Sequence, residues 1–368
     1  MSSQSPRVII SGGGTGGHIF PAIAIADALK KQNSSTEILF VGAKGKMEMK
    51  KVPEAGYPIE GLNIVGIQRK ITLKNLLVPF KIIQSLKRAR GIIRNFSPQV
   101  AVGVGGYASG PLLRAAANKG LPTLIQEQNS YPGITNRILA RKAKKICVAF
   151  DGMDNYFPKE KLVITGNPVR QNVVDLEGKK ERALSHFKLS AERKTLLVIG
   201  GSLGARTLNN SLLSHLEKIK ESGIQVLWQT GKYYFADAKE QSNSFDYDGI
   251  RTLEFIREMD LAYALADLTI SRAGAMSISE LSLTKMPSIL VPSPNVTEDH
   301  QTKNAQALLS KGAALLVRDE NAQEELIPLA IELIQDEDKL RDMSQKAGEL
   351  AKENAAGRIA KEIFELIG

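Results

Sequence analysis

A short apolar run that breaks into a glycine-rich turn and resumes as apolar positions at helical spacing occurs twice in this chain. The first copy is "RVIISGGGTGGHIFPAIAIADAL", Arg7 to Leu29; the second is "RKTLLVIGGSLGARTLNNSLLSHL", Arg193 to Leu216. Arg7 to Ser11 reads as a buried strand. From Pro21 onward Ala22, Ile25, Ala26 and Leu29 recur at helical spacing, so the five glycines between form a strand-to-helix turn. Backbone N–H groups at such a turn converge on an anion. Two copies about 190 residues apart predict two α/β halves, each with its own ligand-facing loop.

The first turn carries two further signals. Gly12, Gly14 and Gly17 satisfy G-x-G-x-x-G, but a dinucleotide site also wants an acid at the end of the second strand. That strand reads "EILFVGAKGK", ends in lysines, and has Glu37 at its wrong end. A nucleotide-hydrolysing phosphate loop needs lysine after its last glycine, where this chain has His18. What is left is a turn with a histidine at its lip, suited to a phosphate, a diphosphate or a sugar.

At 368 residues the chain suits two domains. Its one cysteine, Cys147, excludes an internal disulfide framework and fits a reducing compartment. "MSSQSPR" lacks the pattern of a leader peptide, no run of apolar residues reaches membrane-spanning length, and a cytoplasmic protein is expected. The net charge of +10 is unevenly spread: residues 1–165 hold 24 Lys and Arg against 9 Asp and Glu (+15), and residues 166–368 hold 25 against 30 (−5). No acid lies between Glu60 and Glu127, so the first half presents a basic surface to an anionic partner. Nucleic acid and membrane are the two candidates; 5% aromatic residues and no zinc module or aromatic recognition strand argue against nucleic acid.

Strand and helix patterns alternate throughout. After "EILFVG" come "QVAVGVGGYASGPLLRAAANKG", "LPTLIQEQN" and "KKICVAF"; in the second half come "IQVLWQTG", "IRTLEFI", "ADLTISRAG", "MPSILVPSP" and "AALLV". This predicts two doubly wound Rossmann-like α/β domains whose ligands bind outside the carboxyl ends of the strands. The join is expected near "LVITGNPVRQNVV", giving domains 1–165 and 166–368, with the final helix, about 352–368, returning to the first.

In this order, "GGGTGGHIFP", "GVGGYASGP", "EQNSYPG", "GNPVR", "GGSLGAR", "SRAGAMSISE" and "EDHQTKNA" resemble the MurG family over nearly the whole chain. The resemblance implies a GT-B glycosyltransferase, with two Rossmann-like domains facing across a cleft. It implies an inverting hexosyltransferase that moves N-acetylglucosamine (GlcNAc) from UDP-GlcNAc to the C4 hydroxyl of N-acetylmuramic acid (MurNAc). The acceptor is undecaprenyl-diphosphoryl-MurNAc-pentapeptide, so lipid I becomes lipid II in peptidoglycan synthesis, on which cell shape and division depend.

For the donor, the resemblance assigns Thr15, Gly16, Gly17, Asn129 and Arg170, with Ser202 on the diphosphate, Phe255 and Ile256 on uracil, Ala275, Met276 and Glu280 near the ribose, and His300 and Gln301 on the sugar. For the acceptor diphosphate it assigns Gly13, Gly14, His18, Gly105, Gly106 and Tyr107. Inversion needs a base for the acceptor hydroxyl. His18 and Glu127 are the candidates; His18 has an alternative role on the acceptor diphosphate, and Glu127 an alternative role as a buried loop anchor. Metal-dependent enzymes of this class use Asp-x-Asp; Asp246–Asp248 and Asp336–Asp338 have that spelling but adjoin no expected substrate loop, so no metal and no other cofactor is expected. The stretch from Arg69 to Arg94 holds eight Lys and Arg and no acid, interleaved with Ile71, Leu73, Leu76, Leu77 and Phe80. Such a segment fits peripheral contact with the anionic cytoplasmic leaflet of the bacterial inner membrane, beside other cell-wall synthesis proteins.

Overall fold

The computed structural model describes residues 5–64, 78–296 and 299–368; Ile71, Leu73, Leu76 and Leu77 lie outside them. Two compact units emerge, residues 1–170 with 352–368 and residues 171–351. In the first, β1 (Arg7–Gly12), β2 (Glu37–Ala43), β3 (Ile59–Leu62), β4 (Val100–Gly105), β5 (Thr123–Glu127), β6 (Lys145–Val148) and β7 (Leu162–Ile164) form one parallel sheet. Its order is β3-β2-β1-β4-β5-β6-β7. In the second, β8 (Thr195–Ile199), β9 (Gln225–Gln229), β10 (Ile250–Leu253), β11 (Leu268–Ser271), β12 (Ser288–Leu290) and β13 (Ala314–Leu316) take the order β10-β9-β8-β11-β12-β13. Both are doubly wound Rossmann-like sheets. The order reverses between β1 and β4 in one and between β8 and β11 in the other, so each unit opens a crevice beyond those strand ends.

The strands are continuous apolar runs because helices cover both faces. Val8, Ile10, Val100 and Val102 pack with Ile25 and Leu29 of the helix Gly16–Gln32, and with Ile359, Ala360 and Ile363 of the helix Ala355–Ile367. That last helix is further tied by Lys145 Nζ donating to Glu362 Oε2 at 2.6 Å. In the second unit Trp228, fully buried, anchors the core and donates its indole N–H to Asn209 Oδ1 at 3.0 Å. Cys147 lies buried in β6, where burial pushes its thiol up to about 12; it is no nucleophile.

The first unit runs to Arg170, inside the expected join Leu162–Val174, and within that join Leu162–Ile164 is an edge strand rather than linker. Three residues followed by Gly166 and Pro168 are too few for a strand pattern to register. β3 was missed for the same reason: four residues at the opposite edge, one of them glycine.

Candidate active site

The first glycine turn is tighter than its sequence implies. The helix begins at Gly16, so Gly16, Gly17 and His18 form its first turn rather than a loop before it, and Pro21 sits inside the helix. Thr15 stands at the N-cap, with its carbonyl accepting from His18 N at 3.1 Å and Ile19 N at 3.2 Å. Gly13 N–H donates to Gly105 O at 3.3 Å, and Gly14 N–H donates to Glu48 Oε2 at 2.9 Å. The expected phosphate donors Gly13 and Gly14 are thus already engaged. Gly16 and Gly17 open the helix, where N–H groups have no intrahelical acceptor.

The second loop, after β4, lies against the first at the switch point. Ser109 Oγ stitches them, donating to Ser11 O at 3.0 Å and to Gly105 O at 2.9 Å. Gly105 has φ +107°, and a Cβ there would stand 2.4 Å from His18 Cδ2. The imidazole therefore packs against the Gly105 backbone, in the space a side chain there would fill. Tyr107 is half exposed just beyond.

His18 Nδ1 is 3.2 Å from Gly13 O. A carbonyl can only accept, so Nδ1 carries the proton and Nε2 is left as the acceptor. Burial holds the imidazole below its ordinary pKa of 6.5, against opposing pulls from Glu127, the Gly13 carbonyl and Glu48. A neutral ring with an open Nε2 can take a proton at neutral pH. Glu127, by contrast, is buried with both oxygens occupied. Oε1 accepts from Asn129 N at 3.1 Å and Asn129 Nδ2 at 3.2 Å; Oε2 accepts from Gly133 N at 3.1 Å and Asn136 Nδ2 at 2.9 Å. This is the geometry of the loop anchor. Arg170, where the chain leaves the first unit, places its guanidinium 5.2 Å over the Phe20 ring.

In the second unit Ser202 is not on the first turn of a helix. It tops the turn Gly201–Gly204, closed by Gly204 N donating to Gly201 O at 3.1 Å, and the helix starts at Arg206. Ser202 is exposed, its carbonyl held by Lys232 N–H at 3.2 Å. Phe255 is half exposed, as a stacking surface requires and a core residue would not be. Ile256 is buried, and its N–H is taken by Gln229 Oε1 at 2.9 Å, which leaves its carbonyl as its only main-chain group for a ligand.

Ala275 and Met276 open the helix Ala275–Leu283, where the dipole favours an anion. Farther along, Glu280 Oε2 accepts from Tyr263 Oη at 3.1 Å. Tyr263 is buried, and burial with the Glu280 carboxylate pushes its phenol far above 10, so it stays a donor. Gln301 Oε1 accepts Ser293 N–H at 2.8 Å, which fixes its amide orientation; His300 opens the same helix, His300–Leu309. Asp248 pairs with Arg193 at 2.6 Å, and Asp336 caps a helix by accepting Lys339 N–H at 2.9 Å, so both Asp-x-Asp spellings have structural occupations.

Comparison with known proteins decides the family. The glycosyltransferase family 28 N-terminal domain matches residues 8–148, and its C-terminal domain matches residues 195–363. UDP-N-acetylglucosamine--N-acetylmuramyl-(pentapeptide) pyrophosphoryl-undecaprenol N-acetylglucosamine transferase of Parabacteroides distasonis is 54% identical over 98% of both chains. The chain belongs to the MurG family. The protein of the same name from Cytophaga hutchinsonii is 54% identical over 100% of this chain and 99% of its own. The crystal structure of Acinetobacter baumannii MurG matches with a TM-score of 0.79 at 30% identity, covering 98% of this chain and 99% of that one.

Within their own units, Gly13–His18, Gly105–Tyr107, Glu127 and Asn129 in one and Ser202, Phe255, Ala275 and Met276 in the other follow strand ends, while Glu280 and Gln301 stand on helices. Sequence reasoning missed three residues that hold these groups. Glu48 lies under the first turn, Tyr263 beneath Glu280, and Gln229 behind Ile256. The available signal for Glu48 was an acid just past the second strand; it was overlooked because the lysines between obscure it.

Proposed function

We propose that this chain transfers GlcNAc from UDP-GlcNAc to the C4 hydroxyl of MurNAc in undecaprenyl-diphosphoryl-MurNAc-pentapeptide, with inversion. The observation that carries this reading is the 54% identity over 98% of both chains with a relative bearing that activity in its name. The glycine turn with His18 supports the mechanism. His18 Nε2 takes the proton of the acceptor hydroxyl as its oxygen attacks the sugar C1 from the face opposite the diphosphate. The new C–O bond forms as the bond from C1 to the diphosphate oxygen breaks, and UDP leaves with the electron pair. Its charge is met by Ser202 and the N-terminal end of the helix Ala275–Leu283. Phe255 and the Ile256 carbonyl hold uracil, Glu280 the ribose hydroxyls, and Gln301, His300 and Asn129 the sugar. The acceptor diphosphate falls to Gly106, Tyr107 and the first-turn N–H groups of Gly16 and Gly17.

The test is transfer of labelled GlcNAc to a short-chain lipid I analogue in EDTA. A β1,4 disaccharide is expected, at a rate unchanged by the chelator; loss of transfer in EDTA overturns the metal-free reading, and no transfer with UDP still bound overturns the acceptor.

Phe80 and Ile83, 69% and 54% exposed, share the helix Val78–Phe96 with Lys81, Lys87, Arg88, Arg90 and Arg94. No described helix is long and apolar enough to cross a membrane. Contact of this helix with the anionic cytoplasmic leaflet would bring the enzyme to its lipid-linked acceptor.

The ribose assignment gives its own expected result. Glu280→Ala weakens UDP-GlcNAc binding roughly 10- to 100-fold, the worth of hydrogen bonds to a charged group. Tyr263→Phe weakens it several-fold, about 0.5–1.5 kcal/mol. Titration calorimetry with UDP and with 2′-deoxy-UDP checks both: equal affinities for the two nucleotides in the wild type would count against the ribose contact.

A further inference from the structure

We infer that Glu48 is a positioning residue for His18: its buried carboxylate ties the first glycine turn to the end of β2 and so fixes where the imidazole stands. Glu48 is 1% exposed. Its Oε1 accepts Ala43 N–H and its Oε2 accepts Gly14 N–H, each at 2.9 Å. Glycine on both sides makes room for it. A Cβ at Gly13 would stand 2.3 Å from Oε1, and one at Gly42 2.5 Å from Cγ. The next link is direct, because the Gly13 carbonyl receives His18 Nδ1–H. A displaced Glu48 frees Gly14, moves Gly13, and removes the hydrogen bond that sets the tautomer of His18.

The carboxylate also explains the shape of the site. Placed where a dinucleotide fold keeps its ribose acid, it faces backbone instead of solvent, and it bars an anion from Gly13 and Gly14 by charge and by occupancy. The nearest N–H groups without an intrahelical acceptor are those of Gly16 and Gly17 at the helix start. The charged groups acting on His18 are Glu127 from the end of β5 and Glu48 from the helix after β2; both favour its protonated form, and burial opposes them.

The inference rests on the reading of His18 as the base, and the experiment separates the two. The kcat–pH profile of the full chain is measured for Glu48→Gln, Glu48→Asp and His18→Gln, with UDP binding and a thermal melt for each. Glu48→Gln can satisfy only one of the two N–H donors and carries no charge. Its kcat should fall roughly 10- to 100-fold, the effect of a small misplacement of a reacting group. Its acid limb should move to lower pH, and UDP affinity should stay within about twofold. Glu48→Asp keeps the charge but cannot span both donors, so kcat falls while the acid limb moves less than in Glu48→Gln. A normal kcat in Glu48→Gln, or a lowered one with the acid limb unmoved, overturns the inference. Should Glu48→Gln fail to fold, a fully active Glu48→Asp overturns it. If His18→Gln turns over at the wild-type rate, the base reading itself falls; if its kcat drops and Glu48→Gln behaves as wild type, Glu48 alone is dismissed.

Discussion

His18→Gln should lower kcat by roughly 10²- to 10⁴-fold, the usual contribution of a positioned base, while UDP-GlcNAc binds with nearly unchanged affinity. Glutamine keeps the bulk of the ring and a donor for the Gly13 carbonyl, but nothing at the Nε2 position that takes a proton. The wild-type pH profile has a defined sign. His18 is active as the neutral ring, and burial holds its pKa below 6.5, so kcat is full at pH 7 and falls on acidification with a midpoint below 6.5. The same shift acts on stability. A histidine whose folded pKa is depressed adds stability that is complete above 6.5 and lost as pH falls through the folded value. In His18→Gln both dependences should flatten. A variant that turns over at the wild-type rate removes His18 from the chemistry.

The two switch points were legible because apolar runs, glycine turns and helical spacing are local patterns, and both units repeat them. Eleven of the strands fall inside quoted apolar runs or their glycine margins; β3 and β7 do not, since an edge strand of three or four residues has little apolar periodicity to show. The helix start was misplaced for a different reason. Gly16 and Gly17 are poor helix formers, and Pro21 reads as a first-turn residue; packing of Ile19, Ala22 and Ile23 on the sheet overrides that preference and extends the helix back to Gly16. Site residues identified by motif stand at strand ends or on helices, but who occupies their hydrogen bonds was not legible. That Ile256 N–H belongs to Gln229, that Gly14 N–H belongs to Glu48, and that Gln301 is turned by Ser293 are facts of the fold between residues 8 to 34 positions apart. The same holds for Glu127, where base and anchor spell the same sequence.

Glu127→Gln separates those two roles. As an anchor, the carboxylate gathers four N–H donors from Asn129, Gly133 and Asn136 onto two oxygens. Glutamine offers one oxygen and turns an NH₂ toward donors that the carboxylate had accepted, so at least one of these hydrogen bonds is lost and another donor is repelled. At about 1–3 kcal/mol for each such group, the first unit should lose roughly 2–4 kcal/mol. That corresponds to a fall in Tm of about 5–15 °C for a domain of this size. Activity should fall with it, because Asn129 is held by the same oxygen, and the loss should appear in KM for UDP-GlcNAc as well as in kcat. A base would behave otherwise. Removing it would leave the Tm and KM near wild type and strike kcat alone, by a factor comparable to that of His18→Gln. The ratio of the two losses, read from a melt and a Michaelis–Menten series on one protein preparation, therefore assigns the carboxylate. The saturated geometry of Glu127 requires the first outcome; a stable Glu127→Gln with kcat reduced a hundredfold or more would transfer the proton from His18 to Glu127.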